Sequence, residues 1–149
     1  MDVRVRVGGR ADLDDVVRLF GEYLEFYGCP RDPGDVRAFL DARLHDGGSV
    51  VLVAVTGDGP VVGFAQCYPT WSSLSLAPAW VLNDLYVDPA ARGTGAGRAL
   101  VRGALAAARA AGAVSVSLET AVTNARAQAL YESEGFVREE EFWTYAVPV

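Results

Sequence analysis

The stretch "ARGTGAGRAL", Ala91 to Leu100, packs three glycines into five positions: Gly93, Gly95 and Gly97. Glycine loses more backbone entropy on folding than any other residue, so such a cluster marks a backbone that bends tightly or lies close to something. Upstream, Trp80 to Val87 reads as a strand stopped by Asp88-Pro89. Downstream, Leu100, Val101, Ala104, Leu105 and Ala108 mark one face of a helix, which Gly112 ends. A turn entering a helix offers unpaired N–H groups and a partial positive charge, which attract phosphate. The plain alternative is a turn with no ligand. A P-loop, GxxxxGKS/T, fails because the chain has no lysine. A dinucleotide-binding reading has a well-spaced acid in Glu119, but GxGxxG breaks at both registers, where Arg98 or Leu100 takes the third glycine position.

Working outward, Val3, Val5 and Val7 alternate with arginines as a half-buried strand. A helix is predicted from about Asp12, which can cap it, through Val16, Leu19, Phe20 and Tyr23. Asp32-Pro33 reads as the start of a second helix ending near Gly47-Gly48. Val50 to Val55 and Val61 to about Trp71 form a hairpin across Gly57-Asp58-Gly59-Pro60. Val114 to Glu119 is a strand, Asn124 caps a helix ending at Gly135, and two short strands are expected from Phe136 onward. The order β-α-α-β-β-β-α-β-α-β-β predicts one mixed α/β sheet with helices on its faces.

The 149 residues suit a single domain over 1–149, with 51% hydrophobic and 21% charged residues. No signal peptide is expected from Met1-Asp2-Val3-Arg4, and no membrane span, because Arg102 and Arg109 interrupt the most apolar stretch. Cys29 and Cys67 lack any metal or redox spacing, so reduced thiols, a cytoplasmic location and no metal are expected. The net charge of −6, without a basic cluster, disfavours nucleic acid and suits a cationic small substrate.

Three motifs then stand in order. Leu82-Asn83-Asp84-Leu85-Tyr86-Val87-Asp88-Pro89 comes first. Arg92 to Gly97 fits Arg/Gln-x-x-Gly-x-Gly/Ala. Asn124 to Phe136 contains Tyr131, seven residues beyond Asn124. Together they resemble the GNAT N-acetyltransferase family, strongly over Trp80 to Tyr145 and by element order before that. The resemblance implies a mixed, mostly antiparallel central sheet with helices on both faces, splayed between its fourth and fifth strands. It also implies acetyl-CoA as the bound cofactor. The pyrophosphate would lie on Gly93, Thr94, Gly95, Ala96, Gly97 and Arg98, with Arg92 adding charge. The pantetheine arm would pair with Leu85, Tyr86 and Val87, and Asn124 and small Ala127 would border it.

Acetyl transfer to an amine needs a neutral nucleophile, a donor to the oxygen and a proton for the leaving thiolate. The resemblance makes Tyr131 the proton donor, and the backbone N–H of Leu85 or Tyr86 a candidate oxygen donor. Relatives often carry two acids where this chain has Asn83-Asp84, so Asp84 is expected to anchor a water path rather than act alone. His45, the only histidine, falls at a helix end where a cation suits the dipole. Glu22, Tyr23, Tyr27, Tyr68, Trp71, Asn83 and Asp84 are the expected acceptor-lining residues, and Glu25 lies on the same helix as the first three. The segment from Tyr68 to Asp84 most resembles the histone, polyamine and amino-acid acetyltransferase branch, so the expected acceptor is a small cationic primary amine. Protein N-termini or lysines, antibiotic amines, or a non-catalytic acyl-CoA-binding module are the alternatives. Phe142, Trp143, Tyr145 and Val147 make the tail more apolar than a free edge should be, which predicts a homodimer.

Overall fold

The computed structural model of the chain describes residues 2–149. Its backbone contacts fall into two units, one running to Glu119 and the other Thr120–Val149. The first unit holds a five-stranded sheet in the order β1-β2-β3-β4-β5, formed by β1 (Val3–Val7), β2 (Val50–Thr56), β3 (Val61–Ser72), β4 (Ala77–Val87) and β5 (Val116–Ser117). The first four strands are mutually antiparallel, and β5 lies parallel to β4. Helices α1 (Leu13–Phe26) and α2 (Pro33–His45) supply Val16, Leu19, Phe20, Val36 and Leu40, which pack with Val53 and Phe64. Helix α3 (Ala96–Ala110) covers the other face. There the sheet and helix approach closely. A Cβ on Gly63 would stand 3.0 Å from the Tyr86 carbonyl oxygen and 3.2 Å from Leu100 Cδ1, and one on Gly103 would stand 2.9 Å from Val5 Cγ1.

Local signals explain most boundaries. Asp32 Oδ1 accepts from the Gly34 N–H at 2.8 Å and starts α2, with Pro33 in its first turn. Asp12 does not cap α1 as expected. Its carboxylate takes a two-pronged bond from the Arg6 guanidinium, 2.8 Å on each oxygen, and one from the Gly9 N–H. Those bonds hold the Asp12 carboxyl below its ordinary range, chiefly through Arg6. A short 3-10 turn, Arg10–Asp12, leads into the helix instead. Pro69 is tolerated inside β3 because the strand has by then run past the end of its β2 partner.

In the second unit, Asn124 Oδ1 accepts from the Ala127 N–H at 3.2 Å and caps α4 (Ala125–Ser133). Two expectations fail, one at the end of the first unit and one in the second. β5 is two residues long rather than six, and residues 137–149 form no strands. Three successive glutamates, Glu139 to Glu141, open that tail, and Glu139 Oε1 takes the N–H groups of Glu141 and Phe142, which a ladder would need. Pro148 lacks an N–H altogether.

The close approach at Gly63 generates a test. Gly63→Val would drive two further methyl groups into Leu100 and Val87, and it should cost about 1–3 kcal/mol in denaturant unfolding. An unchanged midpoint would contradict the packing described.

Candidate functional site

Strand β4 changes character halfway along. Gln66 pairs with Asp84, while the next residue, Cys67, pairs with Leu82, so Asn83 is an extra residue in the ladder. Before it, the Trp80 N–H faces β5 and donates to Ser115 at 3.0 Å; after it, the Asp88 N–H faces β3 and donates to Val62 at 2.8 Å. Eight residues of regular strand would keep one direction, so the bulge has reversed it. The amides of Leu85 and Val87 therefore face the β5 side, while that of Tyr86 faces β3. The β4–β5 ladder ends at Val81 and Ser117, which leaves Leu82 to Val87 open on that side among the described strands.

The glycine turn follows directly. Gly93 and Gly95 adopt φ of +82° and +88°, a left-handed backbone that favours glycine. A Cβ on either would meet nothing within 4 Å, so the surface there is open. Gly95 is the N-cap of α3, and the first helical amide to find its carbonyl is that of Ala99, on Gly95. Helix geometry leaves the amides of Ala96, Gly97 and Arg98 without an intrahelical carbonyl. The Thr94 hydroxyl donates to the Ala91 carbonyl at 2.6 Å and closes the turn. Arg92 folds back to the open edge: its Nε donates to the Val87 carbonyl at 3.4 Å, and its guanidinium lies 5.8 Å from the Tyr86 ring centre. The structure thus gathers Leu85, Val87, Arg92 and Gly93 to Arg98 along one edge, and these donors fit an extended chain ending in phosphates.

The same bulge turns Asp84 to the α1–α2 face. Asp84 is only 5% exposed, and its two oxygens accept from Gln66 Nε2 at 2.9 Å and Asn83 Nδ2 at 3.2 Å. Gln66 is fully buried, and its Oε1 accepts from the Ser49 hydroxyl at 3.1 Å. Burial, reinforced by the negative charge of Asp84, pushes the Cys67 thiol up to about 12. The Tyr68 hydroxyl is raised by burial and by Asp84, against the opposing pull of Arg43. Gln66 and Ser49 have no local sequence signal, because their partners lie 17 to 18 residues away.

Of the other acceptor candidates, Glu22 accepts from Tyr86 Oη at 3.2 Å and from Arg18 at 3.1 Å. Tyr23 packs its ring between Tyr27 at 4.9 Å and Tyr86 at 6.3 Å. Trp71 stands apart: it is 75% exposed, lies about 17 Å along β3 from Gln66, and alternates to the opposite face from Gln66 and Tyr68. His45 sits in the last turn of α2, 3.7 Å from Asp41. Asn124, Ala127 and Tyr131 lie on α4 in the second unit, where the Tyr131 ring meets Phe136 at 5.9 Å. Among the described residues no helix is long and apolar enough to cross a membrane, and no cluster of metal-ligating side chains occurs.

Known proteins are similar to this chain. The model of the acetyltransferase (GNAT) family matches residues 15–136. An uncharacterized N-acetyltransferase of Bacillus subtilis, YhfO, is 38% identical over 99% of this chain and 98% of its own. The streptothricin acetyltransferase of Streptomyces lavendulae is 36% identical over 80% of this chain and 66% of its own. A crystal structure described as that of a probable acetyltransferase superposes with a TM-score of 0.92 and 39% identity, covering 98% of this chain and 97% of that one.

The buried amide at Gln66 can be tested directly. Gln66→Leu would strip Asp84 of one partner and leave the Ser49 hydroxyl only the more distant Arg43 carbonyl, at 3.5 Å. It should lower unfolding stability by about 1–3 kcal/mol. Gln66→Glu should cost more, since it sets a second carboxylate opposite Asp84. Changes within about 0.5 kcal/mol in both variants would show that the network adds nothing.

Proposed function

The chain belongs to the GNAT acetyltransferase family, and from that premise we propose that it acetylates the primary amine of a small cationic acceptor by direct attack in a ternary complex. The observation that carries this reading is the bulge at Asn83, which opens the β4 edge on one side and presents Asp84 on the other. When bound, acetyl-CoA supplies the thioester that the amine attacks. Leu85 and Val87 hold its arm as a strand would, while Arg92 and the amides of Gly93, Thr94, Gly95, Ala96, Gly97 and Arg98 receive its pyrophosphate. Asn124 and Ala127 border the arm. The Leu85 N–H donates to the acyl oxygen, since the Tyr86 amide faces β3.

At pH 7.4 an amine of ordinary pKa 10.4 needs about 4 kcal/mol to lose its proton. Asp84 anchors the water path that takes this proton, and the Tyr131 hydroxyl returns one to the departing sulfur. A covalent route through Cys67 is disfavoured, because its thiol, raised to about 12, stays protonated and buried. Among acceptors, the polyamine and amino-acid class is our first reading. The relative named a streptothricin acetyltransferase favours a small molecule over a protein, and leaves an antibiotic amine as the second reading. The two free cysteines fit a reducing, cytoplasmic setting. The exposed Phe142 and Trp143, 73% and 84% accessible, support a homodimer in which a second copy covers this tail.

Thiol release from acetyl-CoA across polyamines, amino acids, aminoglycosides, streptothricin and peptides tests the activity and ranks the acceptors. Loss of all transfer while acetyl-CoA still binds would favour a non-catalytic acyl-CoA-binding module. Tyr131→Phe keeps the ring and removes the proton, so kcat should fall about 100-fold with little change in acetyl-CoA affinity. A kcat within about threefold of the parent, with chemistry rate-limiting, would refute the role. Light scattering at micromolar concentration should give twice the chain mass, and a monomer would overturn the dimer.

A further inference from the structure

Helices α1 and α2 carry three arginines, and two of them are paired. Arg18 bonds Glu22 at 3.1 Å and Asp88 at 3.2 Å, and Arg37 bonds Asp14 at 2.6 Å. Arg43, in the last turn of α2, meets no carboxylate among the described residues. Its guanidinium lies 5.0 Å from the ring centre of Phe39, one turn back on the same helix. Its Nε is closed off from water and has no hydrogen-bond acceptor. A guanidinium carries five N–H donors in a rigid fork suited to a carboxylate, and it stays charged at any working pH. Stacking on Phe39 holds that fork in one place without using its donors.

The backbone of Arg43 is also linked to the acid already described. Its carbonyl lies 3.5 Å from the Ser49 hydroxyl, which continues through Gln66 to Asp84. Tyr68 is close enough to both to respond to each charge, with opposite signs. A stacked cation and a buried anion thus both act on one tyrosine of the α1–α2 face. A polyamine would match the anion and oppose the cation. A molecule bearing both an ammonium and a carboxylate would match both.

We infer that Arg43 receives an anionic group of the acceptor, so that the acceptor is amino-acid-like, with a carboxylate close to its amine. This rests on the acetyl transfer proposed above, and it narrows the acceptor from cationic amines at large to zwitterionic ones.

The test compares binding of three matched pairs that differ only by the carboxylate: lysine and cadaverine, ornithine and putrescine, phenylalanine and phenethylamine. Calorimetry on the whole chain reads binding whether or not acetyl is transferred, so a failed turnover assay would count against the proposed function and not against this inference. The parent should bind at least one carboxylate-bearing member about tenfold or more tightly than its partner. Arg43→Gln should erase that preference and leave the decarboxylated member's affinity within about twofold, while Arg43→Lys, keeping charge without the fork, should retain part of it. With any acceptor that is turned over, the loss should fall on KM rather than kcat. Three outcomes would overturn the inference: no binding by any of the six, a preference that survives Arg43→Gln, or an equal loss for both members of a pair. The last would mean that Arg43 merely balances Asp84.

Discussion

Asn83 is one residue more than the β3–β4 ladder needs, and its insertion reverses the strand's sense midway. Before it, Leu82 pairs with Cys67 and shares the α3 face; after it, Asp84 pairs with Gln66 and shares the α1–α2 face with Tyr86. The backbone reverses with the side chains, which aims Leu85 and Val87 at the side where β5 has already stopped. A regular strand would have put the acid among the α3 contacts and offered the Asp84 and Tyr86 amides to the opening instead. Bulges beside active sites re-aim side chains in this way. Here one inserted residue serves an edge and a face together.

That arrangement carries an energetic obligation. A carboxylate as covered as Asp84 is costly unless its oxygens are bonded, and a half-satisfied buried network is worse than an apolar core. Gln66 meets the obligation because its own orientation is fixed: the Ser49 hydroxyl takes the carbonyl end, so the NH2 end must face Asp84. The consequence reaches further along the sheet, where burial, with the Asp84 charge adding to it, pushes the neighbouring Cys67 thiol up. The use proposed above for this supported, buried acid is proton removal from an incoming ammonium.

The parts of this site that could be read from the sequence are those fixed locally. Left-handed backbone at Gly93 and Gly95 demands glycine, so the turn announced itself. The Asp32 cap, the Asn124 cap and the hairpin are equally local. The bulge at Asn83 was not legible, because the extra residue exists only relative to β3. Gln66 and Ser49 were missed for the same reason, and Arg43 because an arginine in the last turn of a helix has an ordinary electrostatic explanation. Asp12 misled in the opposite direction: its position fits a cap, but a two-pronged bond to Arg6 outweighs a single amide. In the tail, the apolar, aromatic-rich stretch of Phe142, Trp143, Tyr145 and Val147 looked like strand, yet Glu139 had already turned the backbone amides of Glu141 and Phe142 to itself.

Overall charge is a poor guide to what the acceptor face attracts. The chain carries −6, which alone favours cations, but two of the six acids on α1 and α2, Asp14 and Glu22, already have an arginine. Glu22 is further engaged by Tyr86, so its field toward an incoming ligand is largely spent inside the protein. What remains is local: Asp84, buried and screened little by salt, and Arg43, stacked and unmatched. Long-range attraction scales with the net charge and fades within about 10 Å at ordinary ionic strength. Discrimination between bound ligands depends on the groups they touch. The net charge can therefore speed the approach of many amines without choosing among them, and in the inference drawn above the choice would fall to Asp84 and Arg43.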